Sequence, residues 1–243
     1  MAGLLEEAIE AHGGARRWKK VAELGAHVRS GGLLMKLKGR SRSFSDYGLN
    51  VSTERQSAVF EPYPEPGSSG LYAGEAVRIL ARDGSVVEER EHPRTAFSGL
   101  PGVRRNLRWD ELDGLYFAGY AMWNYLNLPF LLAEPGFETS EGDPIEVEGE
   151  RWRRLDATFP DSIHTHSRKQ TFYFDERGLL RRHDYSPDVV SSLANAAHFS
   201  DEHVEVGGIT IPTRRRVVPK GPGGRPLAGP TVVWIELSSL QAG

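Results

Sequence analysis

Tight-turn signals recur between short alternating segments along most of the chain, and this feature constrains the fold most strongly. Asp83-Gly84 separates two such segments, and Gly207-Gly208 separates two others. Residues 175–178, Asp-Glu-Arg-Gly, divide a third pair that is rich in aromatic residues. Two strands joined by so short a turn run antiparallel. The sequence therefore predicts a large antiparallel sheet built from consecutive hairpins.

The first part of the chain combines a helical pattern with strand patterns. Residues 3–24 predict one or two helices, with an apolar stripe that includes Leu4 and Ile9. Residues 25–39 and 43–62 then alternate in polarity and predict strands separated by turns.

An aromatic helical insert is predicted at residues 103–132. Within it, Tyr116, Tyr120 and Trp123 have the spacing i, i+4 and i+7, which places their side chains on one helix face. A long antiparallel sheet can bury its apolar face by curling around such helices. We expect a mainly β (α+β) protein, a curved antiparallel half-barrel wrapped around the N-terminal helix and residues 110–132, in one domain over residues 1–243.

Composition excludes several classes of function. The chain of 243 residues has a net charge of −3, and this lacks the basic bias of a nucleic-acid-binding protein. It has no cysteine, so disulfides and thiolate chemistry are excluded. A zinc site would need histidine and carboxylate ligands.

The uncharged run at residues 115–132 approaches the length of a membrane span. Asn124, Asn127 and Pro129 interrupt it, so we expect a buried or lid segment instead. The N-terminus places acidic residues where a secretory signal carries its apolar stretch, and we therefore expect a cytoplasmic protein. The sequence does not indicate an oligomeric state.

Three of the eight histidines lie between Thr158 and Ser186. His164 and His166 are two residues apart, so on a strand they would face the same way with Cα atoms about 7 Å apart. Such a pair can share a metal, but Arg168 and Lys169 follow after Ser167 and would oppose a divalent cation. We therefore predict no metal and no other cofactor.

The turn at residues 175–178 sets a strand register. If Phe174 pairs with Leu179, then Gln170 pairs with His183 and Arg168 pairs with Tyr185. One face of this hairpin would then hold His164, His166, Arg168, Gln170, Arg181, His183 and Tyr185, with Phe172 near the turn.

Buried polar groups need partners, which a ligand or an acid–base network would supply. The alternative is that these side chains satisfy one another at a rim. The opposite face, with Arg182 and Asp184, is predicted to meet solvent. The arginines at residues 213–218 predict a solvated strand face, with contact to an anion as the alternative.

The order of these features resembles the LolA-like family of lipoprotein-sorting and lipoprotein-carrier half-barrels. The resemblance rests on the start EEAIEAHGGARRWKKV and the hairpins FYFDERGLLRRHDY and VEVGGITIPTRRRVV. It implies a curved sheet, helices at its open side, and a cavity for an apolar ligand. The half-barrel also resembles a rearrangement enzyme of the violacein pathway, which uses neither a metal nor a redox cofactor. No catalytic motif of either relative matches this chain.

We therefore predict a soluble binder of a small hydrophobic or aromatic molecule. The predicted ligand-binding residues are Tyr116, Tyr120, Trp123, Phe172 and Arg181. The alternative is an enzyme without a redox cofactor, whose candidate catalytic residues are His164, His166, His183, Tyr185 and Arg168. Two further alternatives are a histidine-ligated metal enzyme and a structural or partner-binding protein that has no cavity.

Overall fold

One antiparallel sheet of thirteen strands runs through the computed structural model, which describes residues 3–98, 102, 105, 107–191 and 194–243. The strands are β1 (Glu23–Gly31), β2 (Asp46–Ser52), β3 (Ser57–Glu61), β4 (Ser68–Ala73), β5 (Ala76–Ala81), β6 (Val86–Glu91), β7 (Glu138–Val147), β8 (Glu150–Thr158), β9 (Lys169–Phe174), β10 (Leu180–Tyr185), β11 (Ala196–Val206), β12 (Ile209–Pro219) and β13 (Val233–Ala242).

The sheet consists of two meanders joined at its centre. Its order is β6-β5-β4-β3-β2-β1-β13-β12-β11-β10-β9-β8-β7, so the first and last strands of the chain pair with each other. Strands β6 and β7 follow one another in sequence but lie at opposite edges. The segment between them must therefore cross from one edge of the sheet to the other.

The helices whose bounds lie within the described ranges are α1 (Leu4–Ala11), α2 (Ala15–Trp18), α3 (Leu33–Lys38) and α4 (Glu111–Asn127), with short 3-10 turns at Pro93–Phe97, Phe130–Ala133 and Pro222–Gly224. Helix α4 lies in the segment that joins β6 to β7, and at 17 residues it is about 26 Å long. It contacts strands β2 to β6 on one side. Every residue from Leu112 to Asn127 is buried, because the curved sheet wraps around the helix.

The start of α4 is fixed by a capping box. The Asp110 carboxylate accepts a hydrogen bond from the backbone N–H of Asp113 (2.8 Å), and the Asp113 carboxylate accepts one from the N–H of Asp110 (3.1 Å). Arg90 and Arg105 donate to the Asp113 carboxylate at 2.7 and 2.6 Å. These bonds anchor the helix entrance to β6, because Arg90 belongs to that edge strand.

The prediction of a curved, mainly β half-barrel around an N-terminal helix and an aromatic helix is confirmed. Residues 103, 104 and 106 of the predicted insert lie outside the described residues. One strand prediction was wrong, because residues 33–38 form helix α3. Their sequence, LLMKLK, contains only strong helix formers, and Gly32 begins the turn with a φ of 121°.

The apolar run of α4 forms part of the protein core. Within the described part of the chain, no helix is both long enough and apolar enough to span a bilayer.

Candidate functional site

An apolar cavity of about 140 Å³ lies between α4, α3 and the concave face of the sheet. The sheet contributes Tyr47, Val217, Val233 and Ile235, and the α3 region contributes Leu34, Met35 and Phe44. Helix α4 contributes Phe117, Ala118, Ala121, Met122 and Tyr125. An apolar cavity of about 150 Å³ in another protein stays dry and binds benzene. This cavity therefore has the size and chemistry for a small apolar group.

The predicted aromatic stripe of α4 lies outside the lining of this cavity. The Tyr116 hydroxyl lies 3.4 Å from Arg94 Nη1, and the Trp123 indole N–H donates to the carbonyl of Ser52 at 3.0 Å. Tyr120 points to His166. The ligand-binding role of Tyr116, Tyr120 and Trp123 stays a prediction, and a neighbouring stripe of the helix faces the cavity.

A buried chain of hydrogen bonds begins on α4 and ends at the cavity wall. The Tyr120 hydroxyl meets His166 Nδ1 at 3.1 Å, and the Tyr125 hydroxyl meets His166 Nε2 at 2.7 Å. The Tyr125 hydroxyl also lies 3.0 Å from that of Tyr185. Both Tyr125 and Tyr185 line the cavity. This network therefore forms the polar end of an otherwise apolar space.

Burial holds the members of this network in their neutral forms. Burial, with a smaller contribution from the charge of Arg94, lowers the pKa of His166 to about 3. Burial raises the pKa of Tyr125 to about 12 and that of Tyr185 well above its usual value. A neutral imidazole has one N–H and one acceptor nitrogen. One of the two tyrosines on His166 therefore donates to it and the other accepts from it.

Two more histidines lie behind the network on neighbouring strands. His183 of β10 pairs with His198 of β11 across the sheet, and their ring centroids are 6.0 Å apart. His183 hydrogen-bonds Gln170 through Nε2 and stacks on Phe172 at 4.4 Å. Neither ring nitrogen of His198 has a hydrogen-bond partner in the described structure, and the same is true of His183 Nδ1. Burial lowers the pKa of both histidines well below the ordinary value.

Arg215 is a buried cation close to these histidines. It is 2% exposed and pairs with Ser200 across strands β11 and β12. Its Nη1 donates to the Ser200 hydroxyl at 3.2 Å, and its Nη2 donates to the carbonyl of Tyr125 at 3.0 Å. Burial lowers its pKa to about 10, so the guanidinium remains charged at neutral pH.

The predicted strand containing His164 and His166 was wrong, because both residues lie in a loop at residues 159–168 between β8 and β9. Side chains hold this loop inside the half-barrel. Gln56 accepts from the N–H of His164 at 2.8 Å, and Asn124 donates to the carbonyl of His164 at 2.8 Å. The backbone N–H and carbonyl of His164 are thus satisfied without strand pairing.

His164 lies near the rim, away from His166. Its Nε2 is 3.2 Å from a carboxylate oxygen of Glu75, which is itself exposed and also meets His92 at 3.0 Å. Burial outweighs the Glu75 carboxylate and lowers the pKa of His164. His164 therefore belongs to a polar rim cluster with Glu75 and His92.

The predicted hairpin register was also wrong. Phe174 pairs with Leu180 instead of Leu179, a shift of one residue at the turn. A β-bulge between Leu180 and Arg182 adds a second residue, so His183 pairs with Phe172 instead of Gln170. The bulge is a local irregularity that turn chemistry does not encode.

The remaining predicted residues are dispersed. Arg168 is exposed and pairs with Asp161 at 3.0 Å, so its predicted place on the inner face was wrong. Arg181 is partly buried and pairs with Asp201 at 3.0 Å. Phe172 lies in the core against His183. Of the predicted site residues, Tyr185 is the one that lines the cavity.

The convex face near β10 is not solvated as predicted. Arg182 and Asp184 are 6% and 4% exposed and form two hydrogen bonds of 2.6 and 2.7 Å. Lys220, from the segment after β12, adds a third bond to Asp184 at 2.7 Å. This segment covers a charge network that a strand pattern alone assigns to solvent.

A metal-ligand arrangement is not present in the described ranges, where no group of three or more His, Asp or Glu side chains is placed to hold an ion. His183 and His198 are close to each other, but no carboxylate joins them.

Sequence reasoning missed Tyr125, His198 and Arg215. Arg215 alternates in phase with the buried Ile209, Ile211 and Val217, and this period of two could have placed it on the inner face. Tyr125 has no such signal, because every residue of its helix from Leu112 to Asn127 is buried.

Neither a protein-family model nor a curated protein matches the chain. Solved structures resemble it over nearly its whole length. A LolA superfamily protein from Nitrosomonas europaea is 12% identical with a TM-score of 0.53, and a DUF1329 family protein from Desulfovibrio piger is 13% identical with a TM-score of 0.51. A putative outer membrane lipoprotein-sorting protein domain from Vibrio parahaemolyticus is 10% identical with a TM-score of 0.54. Each match covers 98% of this chain and 91% of the other. The chain therefore has the LolA-like half-barrel fold that its hairpin order resembles.

Proposed function

We propose that this protein binds a small hydrophobic or aromatic molecule in the cavity between α4 and strands β12 and β13. The observation that carries the proposal is the cavity itself, about 140 Å³ in volume and lined almost entirely by apolar and aromatic side chains. Apolar clefts with a few polar groups at one end are typical ligand sites. Here the polar end is formed by the hydroxyls of Tyr125 and Tyr185.

The structural comparisons support the same class of ligand. One similar structure is described as a putative outer membrane lipoprotein-sorting protein domain, and lipoproteins carry apolar lipid groups. A shared fold at this level of identity does not transfer a cargo. We therefore assign the ligand class from the chemistry of this cavity.

The electrostatics of the network favour binding over acid–base catalysis. With the pKa of His166 at about 3 and that of Tyr125 at about 12, the proton stays on the phenol. An efficient general acid or base has a pKa near the working pH. Burial lowers the pKa of His183 as well. These groups are therefore better suited to hold a fixed pattern of hydrogen bonds than to exchange protons with a substrate.

Binding of a neutral one-ring probe, toluene, tests the proposal by calorimetric titration. We expect saturable binding to the wild-type chain. Ala121 lines the cavity, so Ala121→Phe should fill it and weaken probe binding by about tenfold or more, since each ring removed from water contributes several kcal/mol. The matched control is Ala133→Phe, at an exposed position outside the cavity. Equal binding by all three proteins would refute a cavity site.

A further inference from the structure

Arg215 carries a buried positive charge that the described chain does not neutralise. No Asp or Glu of the described residues forms an ion pair with it, and its Nε–H has no hydrogen-bond partner. Its two hydrogen bonds within the described structure go to neutral oxygens, on Ser200 and Tyr125. Buried charges in proteins are normally paired, because desolvation of an unpaired ion is costly. Arg182, a second buried arginine among the described residues of the sheet, forms an ion pair with Asp184.

The groups around Arg215 offset only part of this charge. The Tyr125 carbonyl belongs to the last turn of α4, and a helix C-terminus is equivalent to about half a negative charge. The guanidinium also lies over the Tyr125 ring, 5.2 Å from its centroid, which adds a weaker attraction. The Tyr125 and Tyr185 phenols remain protonated at neutral pH, so neither supplies a full counter-charge.

Other unsatisfied hydrogen-bonding groups lie in the same layer of the sheet. His198 is two residues from Ser200, the cross-strand partner of Arg215, so it lies about 7 Å along the strand. Its Nδ1 and Nε2 are both without partners in the described structure, although the side chain is fully buried. Tyr125 contacts both His198 and Arg215. Its ring packs edge-on against His198 with centroids 4.5 Å apart, and its carbonyl accepts a hydrogen bond from Arg215.

This polar layer adjoins the apolar cavity. Ile235 is the cross-strand partner of Arg215, and Val217 is the next inward-facing residue on β12. Both line the cavity, as does Tyr125. The guanidinium thus lies next to the cavity wall, against the Tyr125 ring. For a ligand in the cavity to pair with Arg215, this ring must turn aside and give up its hydrogen bonds to His166 and Tyr185.

We infer that the ligand is an amphipathic carboxylic acid, whose apolar body fills the cavity and whose carboxylate pairs with Arg215. The inference rests on the proposed function and deepens it. A carboxylate supplies the missing full negative charge and accepts from the free Nε–H, in the bidentate geometry that guanidinium favours. A neutral His198 can donate its ring N–H to the same group. A cationic ligand would meet Arg215 as a like charge.

Three probes with the same eight-carbon chain, octanoate, 1-octanol and octylamine, test the head group by calorimetric titration at neutral pH. We expect octanoate to bind the wild-type chain at least about tenfold more tightly than 1-octanol, and octylamine to bind most weakly. Arg215→Met should reduce octanoate affinity to about the level of 1-octanol. The matched control is Arg216→Met, because Arg216 is the exposed neighbour on the opposite face.

The outcomes separate the two proposals. If octanoate and 1-octanol bind the wild type equally, or if Arg215→Met preserves the advantage of octanoate, the carboxylate inference is wrong while the cavity proposal stands. If none of the three probes binds, the cavity proposal fails and the inference fails with it.

A measurement on the wild-type chain keeps the inference testable if Arg215→Met does not fold. Octanoate labelled with carbon-13 at its carboxyl carbon can be titrated in the complex by NMR. Pairing with Arg215 should keep the bound carboxyl ionised at neutral pH, because the nearby cation offsets the rise in pKa that burial of an unpaired carboxyl causes. A bound carboxyl that is protonated at neutral pH would overturn the inference.

Discussion

The imidazole of His166 lies flat against the phenol ring of Tyr185, with ring centroids 4.0 Å apart and planes inclined by 6°. The Tyr125 hydroxyl bonds both residues, at 2.7 Å to His166 Nε2 and 3.0 Å to the Tyr185 hydroxyl. Because Tyr125 belongs to α4 and Tyr185 to β10, this unit joins the central helix to the sheet. His166 connects them from the 159–168 loop, which has no strand pairing of its own.

His166→Ala should lower the free energy of unfolding by about 2–4 kcal/mol. The change removes the stacked ring and takes one hydrogen-bond partner from each of two buried tyrosines. His166→Phe should cost less, because it keeps an aromatic ring beside Tyr185. Urea unfolding curves give the comparison, with the partly exposed His27→Ala as control. Equal losses for His166→Ala and His27→Ala would contradict the role of this unit.

Acid should destabilise the protein through its buried histidines. The pKa of His166 is lowered by burial to about 3 and that of His203 to about 4, while those of His183 and His198 are lowered well below the ordinary 6.5. Below pH 6.5 the unfolded chain therefore binds more protons than the folded one. The contribution of these neutral histidines to the free energy of unfolding is complete above pH 6.5. It is lost progressively as the pH falls towards the pKa values of the folded state.

Each such histidine should contribute a slope of about 1.4 kcal/mol per pH unit within that window. His198→Phe should reduce the total slope by about this amount while changing stability little at neutral pH, because His198 has no hydrogen-bond partner among the described residues to lose. Unfolding free energies measured between pH 7 and about pH 5 check this. An unchanged slope in His198→Phe would show that His198 is not held neutral.

The hairpins were predictable because each is encoded locally. Asp83-Gly84 and Gly207-Gly208 carry turn chemistry that fixes strand direction over a few residues, and β5–β6 and β11–β12 form around them. The site is encoded less locally. The bulge between Leu180 and Arg182 changes the register of β9 and β10, and nothing in the turn at 175–178 requires it.

The inward position of the 159–168 loop depends on residues far away in sequence. Gln56 and Asn124 supply the hydrogen bonds that replace strand pairing, and His164 is 108 residues from the first of these. Local patterns therefore predicted a strand for His164 and His166, which lie in a loop instead. The alternation of β12 could have predicted that Arg215 faces inward, whereas its burial depends on α4, which packs over that part of the sheet.

Gly119→Ala should destabilise the helix–sheet contact by about 1–3 kcal/mol. An added Cβ would overlap the Cβ and ring of Tyr72, which is buried on β4. The overlap outweighs the gain of about 1 kcal/mol in helix propensity that alanine brings. Gly229→Ala is the control, because its added Cβ meets no atom within 4 Å. Thermal unfolding should show a clear loss for the first variant and almost none for the second; a stabilised Gly119→Ala would contradict this packing.

Asp184→Asn should cost about 3–5 kcal/mol of unfolding free energy, because it leaves the buried Arg182 and the partly buried Lys220 without their shared carboxylate. The exposed pair Arg168–Asp161 offers the matched comparison, and Asp161→Asn should cost no more than about 1 kcal/mol. Urea unfolding of both variants at neutral pH measures the difference. Because Asp184 faces away from the cavity, the folded Asp184→Asn protein should bind the neutral probe with wild-type affinity. A large loss of probe binding in that variant would mean that the convex charge network and the cavity are coupled through β10, which carries both Asp184 and Tyr185.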